Sequence, residues 1–125
     1  GKINLNKTRL INLDIGQLEL SNSNFFLKNN ELVFNSDILI NIKNSENLFS
    51  FLNTSKLSRK NLKNVLINLD YNFLSNQIKF NKIKIDNNKV SDQFFNVIEE
   101  FNNNESNNMV NTRRLINKLF NIYEG

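Results

Sequence analysis

The chain contains no cysteine, histidine, proline or tryptophan, and only three of its 125 residues are glycine. Each absence removes a kind of chemistry. Without cysteine there are no disulfides, no zinc–thiolate sites and no thiol nucleophile. Without histidine the commonest general base and the commonest metal ligand are missing. The three glycines form no phosphate-binding loop. Glu99–Glu100 is the only adjacent pair of acids, and neighbours on a helix diverge by about 100°, so the two do not converge on one substrate. The expectation is therefore a non-enzymatic protein with no catalytic residues, no metal and no cofactor. No apolar run approaches the roughly 20 residues of a membrane-spanning helix, and no signal-peptide pattern opens the chain.

What is present is asparagine, lysine and large aliphatic residues, with eleven phenylalanines. A coding sequence rich in A and T accounts for the asparagine excess without reference to function. The net charge of +4 is unevenly placed. Residues 1–54 carry five basic and five acidic side chains, whereas residues 55–125 carry eleven and seven. Lys56, Arg59, Lys60 and Lys63 form the densest basic group, with no acid between them. Expected to be exposed, they are the candidate contacts for anionic headgroups. Nucleic acid is not an expected partner, because the phenylalanines recur at strand or helix spacing, where core packing is the ordinary role. Single-strand binders instead expose aromatics along a basic groove.

Residues 1–45 read as strands. Ile3 and Leu5 alternate, as do Leu13 and Ile15, and Leu18 and Leu20 follow Gly16, a candidate tight turn or bulge. "KNNE" at 28–31 is a turn, and Leu32, Phe34, Ile38, Ile40 and Ile42 share one parity. Residues 46–60 hold a short helix, with Ser45 as its N-cap and Leu48, Phe49 and Leu52 on one side, followed by the basic connection. Residues 61–90 are a strand pair joined near 74–77. Val65, Ile67, Leu69, Ile78 and Phe80 lie on one face, with a bulge between Phe80 and Ile83. Residues 91–125 hold two helices. Ser91 caps the first, which buries Phe94, Val97, Ile98 and Phe101. The polar "NNNESNN" links it to the second, striped with Leu115, Ile116, Leu119, Phe120 and Tyr123. The whole is a single β-rich α+β segment with a mainly antiparallel sheet, able to curl into a groove.

The stretch "LFSFLNTSKLSRKNLKNVLINLDYNFLSNQIKFNKIKIDN" resembles the C-terminal region of bacterial AsmA-like proteins, relatives of the TamB group. The short helix leading into "SRKNLKN", the paired strands "VLINLDYNF" and "IKFNKIKIDN", and the closing helix "RRLINKLFNIYEG" carry the likeness, which covers about the last 80 residues. The resemblance implies a periplasmic, curled β-sheet with an apolar inner face, anchored in the inner membrane by an N-terminal helix. It also implies a role in phospholipid transport to the outer membrane or in envelope integrity. This sequence lacks such an anchor and opens on Gly1, as expected of the C-terminal piece of a longer parent protein.

On this reading Ile38, Ile40, Ile42, Val65, Ile67, Leu69, Ile78 and Phe80 are the candidate lipid-facing residues, with phospholipid acyl chains as partner. The alternative is a protein–protein interaction module that docks a partner at a sheet edge, with no lipid role.

Overall fold

The computed structural model describes residues 1–88, 90–104 and 107–123. The fold is α+β: an open six-stranded antiparallel sheet, one short helix, and two C-terminal helices. The strands are β1 (Lys2–Leu5), β2 (Arg9–Leu13), β3 (Gly16–Lys28), β4 (Glu31–Ile42), β5 (Asn64–Asn72) and β6 (Ile78–Ile85). The helices are α1 (Ser45–Leu52), α2 (Asp92–Asn102) and α3 (Met109–Ile122). β3, β4, β5 and β6 lie side by side in chain order, and β1 and β2 share the free side of β3.

With glycine so scarce and proline absent, asparagine makes the turns. Asn22, Asn29, Asn30, Asn53, Asn76 and Asn87, together with Asp86, hold φ between 51° and 64°. Asparagine tolerates that left-handed region better than other side chains with a Cβ. Asn29–Asn30 close the β3–β4 hairpin, where two consecutive positive φ values match the twist of the flanking strands. Gly16 follows the Asp14–Ile15 turn at φ +155°, and a Cβ there would stand 2.0 Å from the Asn41 carbonyl oxygen. That close approach is what glycine permits.

Bulges keep the apolar parity in step. β3 gains one residue against β4 between Ser21 and Asn24, so even-numbered Leu18 and Leu20 share a face with odd-numbered Phe25. β6 gains one against β5 around Asn81, which brings Phe80 and Ile83 to the same face, as the sequence pattern anticipates. β4 is one uninterrupted strand.

The core lies between β5–β6 and the helices. Phe49, Phe94, Leu119 and Phe120 pack over Val65, Ile67, Ile78, Phe80, Ile83 and Ile85, and Phe49 meets Phe120 edge-on at 5.6 Å between ring centres. Ser91 caps α2 as expected, accepting from the Phe94 N–H at 3.2 Å. The cap of α1 falls one residue before Ser45. Lys43 N–H and Asn44 N–H both donate to the Ile15 carbonyl, which leaves Asn44 extended with its side chain accepting from Asn47 N–H. Asn108 caps α3. Glu105 and Ser106 of the polar linker, and Glu124 and Gly125 after α3, lie outside the described residues.

Phe94 is 1% exposed, whereas Phe101 is half-buried. Phe94→Ala should cost about 3–5 kcal/mol in urea denaturation, and Phe101→Ala clearly less.

Candidate functional site

The antiparallel register aligns apolar side chains in rows that cross the sheet. One row runs Ile11, Leu18, Ile40, Val65, Ile85; another runs Ile3, Phe25, Phe34, Tyr71, Ile78. A third, Leu20, Ile38, Ile67, Ile83, ends on Arg9 at the edge. Each row is buried at its helix-covered end, intermediate in the middle and exposed at the β1–β2 edge. Ile85, Val65 and Ile11 are 1%, 5% and 45% exposed, and at the ends of the second row Ile78 is 2% exposed against 67% for Ile3. The helices cover the β5–β6 side, and nothing among the described residues covers β1, β2 and the neighbouring part of β3.

The candidate residues divide accordingly. Val65, Ile67, Ile78 and Phe80 are sealed in the helix-covered core. Ile38, Ile40, Ile42 and Leu69 are half-buried at its border and pack against it. The open part of the face belongs to residues not on that list: Ile3, Leu5, Ile11 and Leu13 at the edge, with Leu18, Leu20 and Phe25 behind them. Ile3, Leu5, Leu13, Leu18 and Leu20 belong to alternating pairs in the sequence, whereas Ile11 and Phe25 each stand beside a second apolar residue, Leu10 and Phe26, that blurs the alternation. Their common face depends on the β3 bulge, which the alternation of single strands does not locate. Within the face, the Ser23 and Ser36 hydroxyls satisfy each other at 2.7 Å, so the two polar side chains there are paired.

The opposite face carries a carboxamide–carboxylate network over β3 to β6. Asn35 Nδ2 donates to Asn68 Oδ1 at 3.0 Å and to Asp70 Oδ1 at 2.7 Å. Asn68 and Asn22 each donate to Asp37 at 2.8 Å, and Asn81 donates to Asn68 at 2.9 Å. That face also carries Leu10, Phe26, Val33, Leu39 and Leu66, so it is mixed, whereas the face toward the helices is mainly apolar.

Its two edges also differ. On β6 the outward peptide groups of Ile78 and Phe80 and the Ile85 carbonyl are occupied. Asn102 accepts from Phe80 N–H at 2.9 Å and donates to the Phe80 carbonyl at 2.7 Å. Ile78 N–H donates to the Asn107 carbonyl at 2.9 Å, and Asn107 Nδ2 donates back to the Ile78 carbonyl at 2.6 Å. Tyr123 Oη donates to the Ile85 carbonyl at 3.3 Å. Groups from α2, the following linker and the end of α3 thus stand in for part of a seventh strand. β1 and β2 pair only with β3, and their outer edge has no strand beside it. The segment that reads from sequence as a polar linker is where two of these seals arise. In so asparagine-rich a chain, no local signal marks Asn102 and Asn107 out from the rest.

The basic group is less uniform than expected. Lys56 and Lys63 are exposed, but Arg59 and Lys60 are half-buried. Arg59 is drawn in by an ion pair to Glu46 at 2.9 Å and a bond to the Thr54 carbonyl at 3.1 Å. The Lys60 ammonium sits 5.3 Å from the centre of the Tyr123 ring. Among the described residues no three acidic side chains gather to hold a metal ion, and no helix is long and apolar enough to cross a membrane. No family model matches the chain, and no curated protein or solved structure gives a match.

Asn102→Ala leaves the outward groups of Phe80 without their partner. It should cost about 1–3 kcal/mol, speed amide exchange at Phe80, and make the protein associate as concentration rises, because an uncovered strand edge templates pairing. Exchange measured by NMR and sedimentation velocity check both outcomes.

Proposed function

We propose that this chain is a non-enzymatic module of an AsmA-like envelope protein, periplasmic and held at the inner membrane through its parent. Its apolar sheet face shelters phospholipid acyl chains during transfer between the membranes. The observation that carries the reading is the run of apolar rows beyond the helices to the β1–β2 edge, where large aliphatic side chains face outward together. The resemblance of the later segments to AsmA-like proteins supports it.

The mechanism is passive. An acyl chain leaving a bilayer loses about 0.8 kcal/mol for every methylene brought into water. A row of Ile, Leu and Phe that covers part of those methylenes lowers the barrier without any chemical step. The carboxamides and carboxylates of the opposite, mixed face suit water, and basic side chains near the sheet end suit headgroup phosphates. A second reading, docking of a partner strand at a sheet edge, is favoured by one specific observation: β6 carries hydrogen-bond partners on part of its outer edge, whereas the β1–β2 edge has no strand beside it.

Lipid analysis of the purified protein tests the proposal. Phospholipid should copurify with the native chain and be lost in Ile11→Asp, whose side chain is exposed enough for the fold to survive, as circular dichroism would verify. Ile38 and Ile40 are unsuitable positions for this test, because they pack against the sealed core and a charge there threatens folding itself. Absence of lipid together with a tightly held protein partner would favour edge docking.

A further inference from the structure

The connection from α1 to β5 combines two features that the sheet face does not explain. Leu57, in a single 3-10 turn spanning Lys56–Ser58, is 99% exposed, and Phe51 near the end of α1 is 69% exposed. Cations accompany them: Lys56 adjoins Leu57 and is exposed, Lys63 is exposed further along the same connection, and the Arg113 guanidinium lies 6.0 Å from the centre of the Phe51 ring.

The base beneath this tip is firmly tied. Thr54 is 4% exposed and bonded through its hydroxyl to Asn117, and Asn117 also donates to the Leu52 carbonyl. Arg59 grips the Thr54 carbonyl and Glu46. Leu57 is thus held outward from a fixed platform, and the acids bonded into this connection are both engaged: Glu46 pairs with Arg59, and Asp86 accepts from the Lys63 and Asn64 N–H groups.

We propose that this connection is a membrane-docking tip. Leu57 and Phe51 enter the interfacial region of an anionic phospholipid bilayer, while Lys56, Lys63 and Arg113 meet its phosphates. Charge complementarity selects an anionic partner. The size of the tip selects a bilayer over a protein: two exposed apolar side chains, one on the turn and one near the end of α1, fall far short of the roughly 800 Å² per partner that a stable protein interface buries. A bilayer needs no matching pocket, and each cation close to an anionic surface adds attraction that salt weakens. Because Ile42 N–H bonds to the Lys63 carbonyl at 2.8 Å, the tip stands at the end of the sheet where β4 finishes and β5 starts. A docked tip therefore brings that end of the apolar rows to the membrane surface. The inference does not require an acyl chain on the sheet.

The absence of tryptophan supplies the test. Leu57→Trp introduces a single indole at a position with no packing to disturb. Its emission should shift to the blue with vesicles of phosphatidylglycerol and phosphatidylcholine in equal parts, but not with phosphatidylcholine alone. In flotation at low salt, the double variant Leu57→Ser/Phe51→Ser should bind those vesicles at least about tenfold more weakly, as expected from withdrawing two large apolar side chains. Lys56→Gln/Lys63→Gln/Arg113→Gln should weaken binding and flatten its salt dependence. Ile11→Asp, on the sheet face, should float like the native chain. An unshifted indole overturns the proposal. So does flotation that the serine variant leaves intact, which would mean adsorption by charge elsewhere or by another surface.

Discussion

Shared parity holds this molecule together. In an antiparallel sheet, a slip of one residue sends every side chain of a strand to the other face. Strands whose apolar rows must meet the helices on one face are held to a single register. The bulges in β3 and β6 are the concessions that make this possible, since each absorbs the residue that would put the pattern out of step. The helices can then seat on a continuous apolar floor at β5–β6, and the same floor extends uncovered to the far edge. Core and candidate site are two parts of one surface, distinguished by what lies above them.

Asparagine does much of the work that glycine and proline do elsewhere. It holds the left-handed turn positions, caps α1 and α3, ties the strands together across the face away from the helices, and closes part of the outer edge of β6. One side chain serves all four roles because a carboxamide both donates and accepts hydrogen bonds and can copy the peptide group. The composition bias that looks like a coding accident is, at these positions, part of the structure.

Much of the architecture was legible because period two and period 3.6 are local signals. The β5–β6 hairpin, the Asn29–Asn30 turn, the capping by Ser91 and the buried stripe of α3 all follow from residues close together in sequence. What was not legible depends on pairing between distant segments. The parity of Val65 and Ile67 shows an apolar face, but whether α2 and α3 or open solvent lies above them is decided by where the helices land. For the same reason the list centred on β5 and β6 names mostly covered residues, while the exposed rows lie on β1, β2 and β3. Arg59 and Lys60 look alike as charges in sequence; Glu46 and Tyr123 are what draw them inward.

The chain-order arrangement of β3 to β6 has a kinetic consequence. Each new strand from β4 onward pairs with its predecessor; the β3–β4 and β5–β6 turns close short loops at small entropic cost, whereas the β4–β5 connection carries α1 and closes a longer one. The Asn29–Asn30 hairpin is the natural place to start, since two-stranded turns form within microseconds. α3 makes its contacts with α1 across more than sixty residues and must wait until β5 and β6 have laid down the floor between them. On loop-closure grounds, assembly from the hairpin toward the helices is the order of lowest entropic cost, with the contacts that close the core forming last.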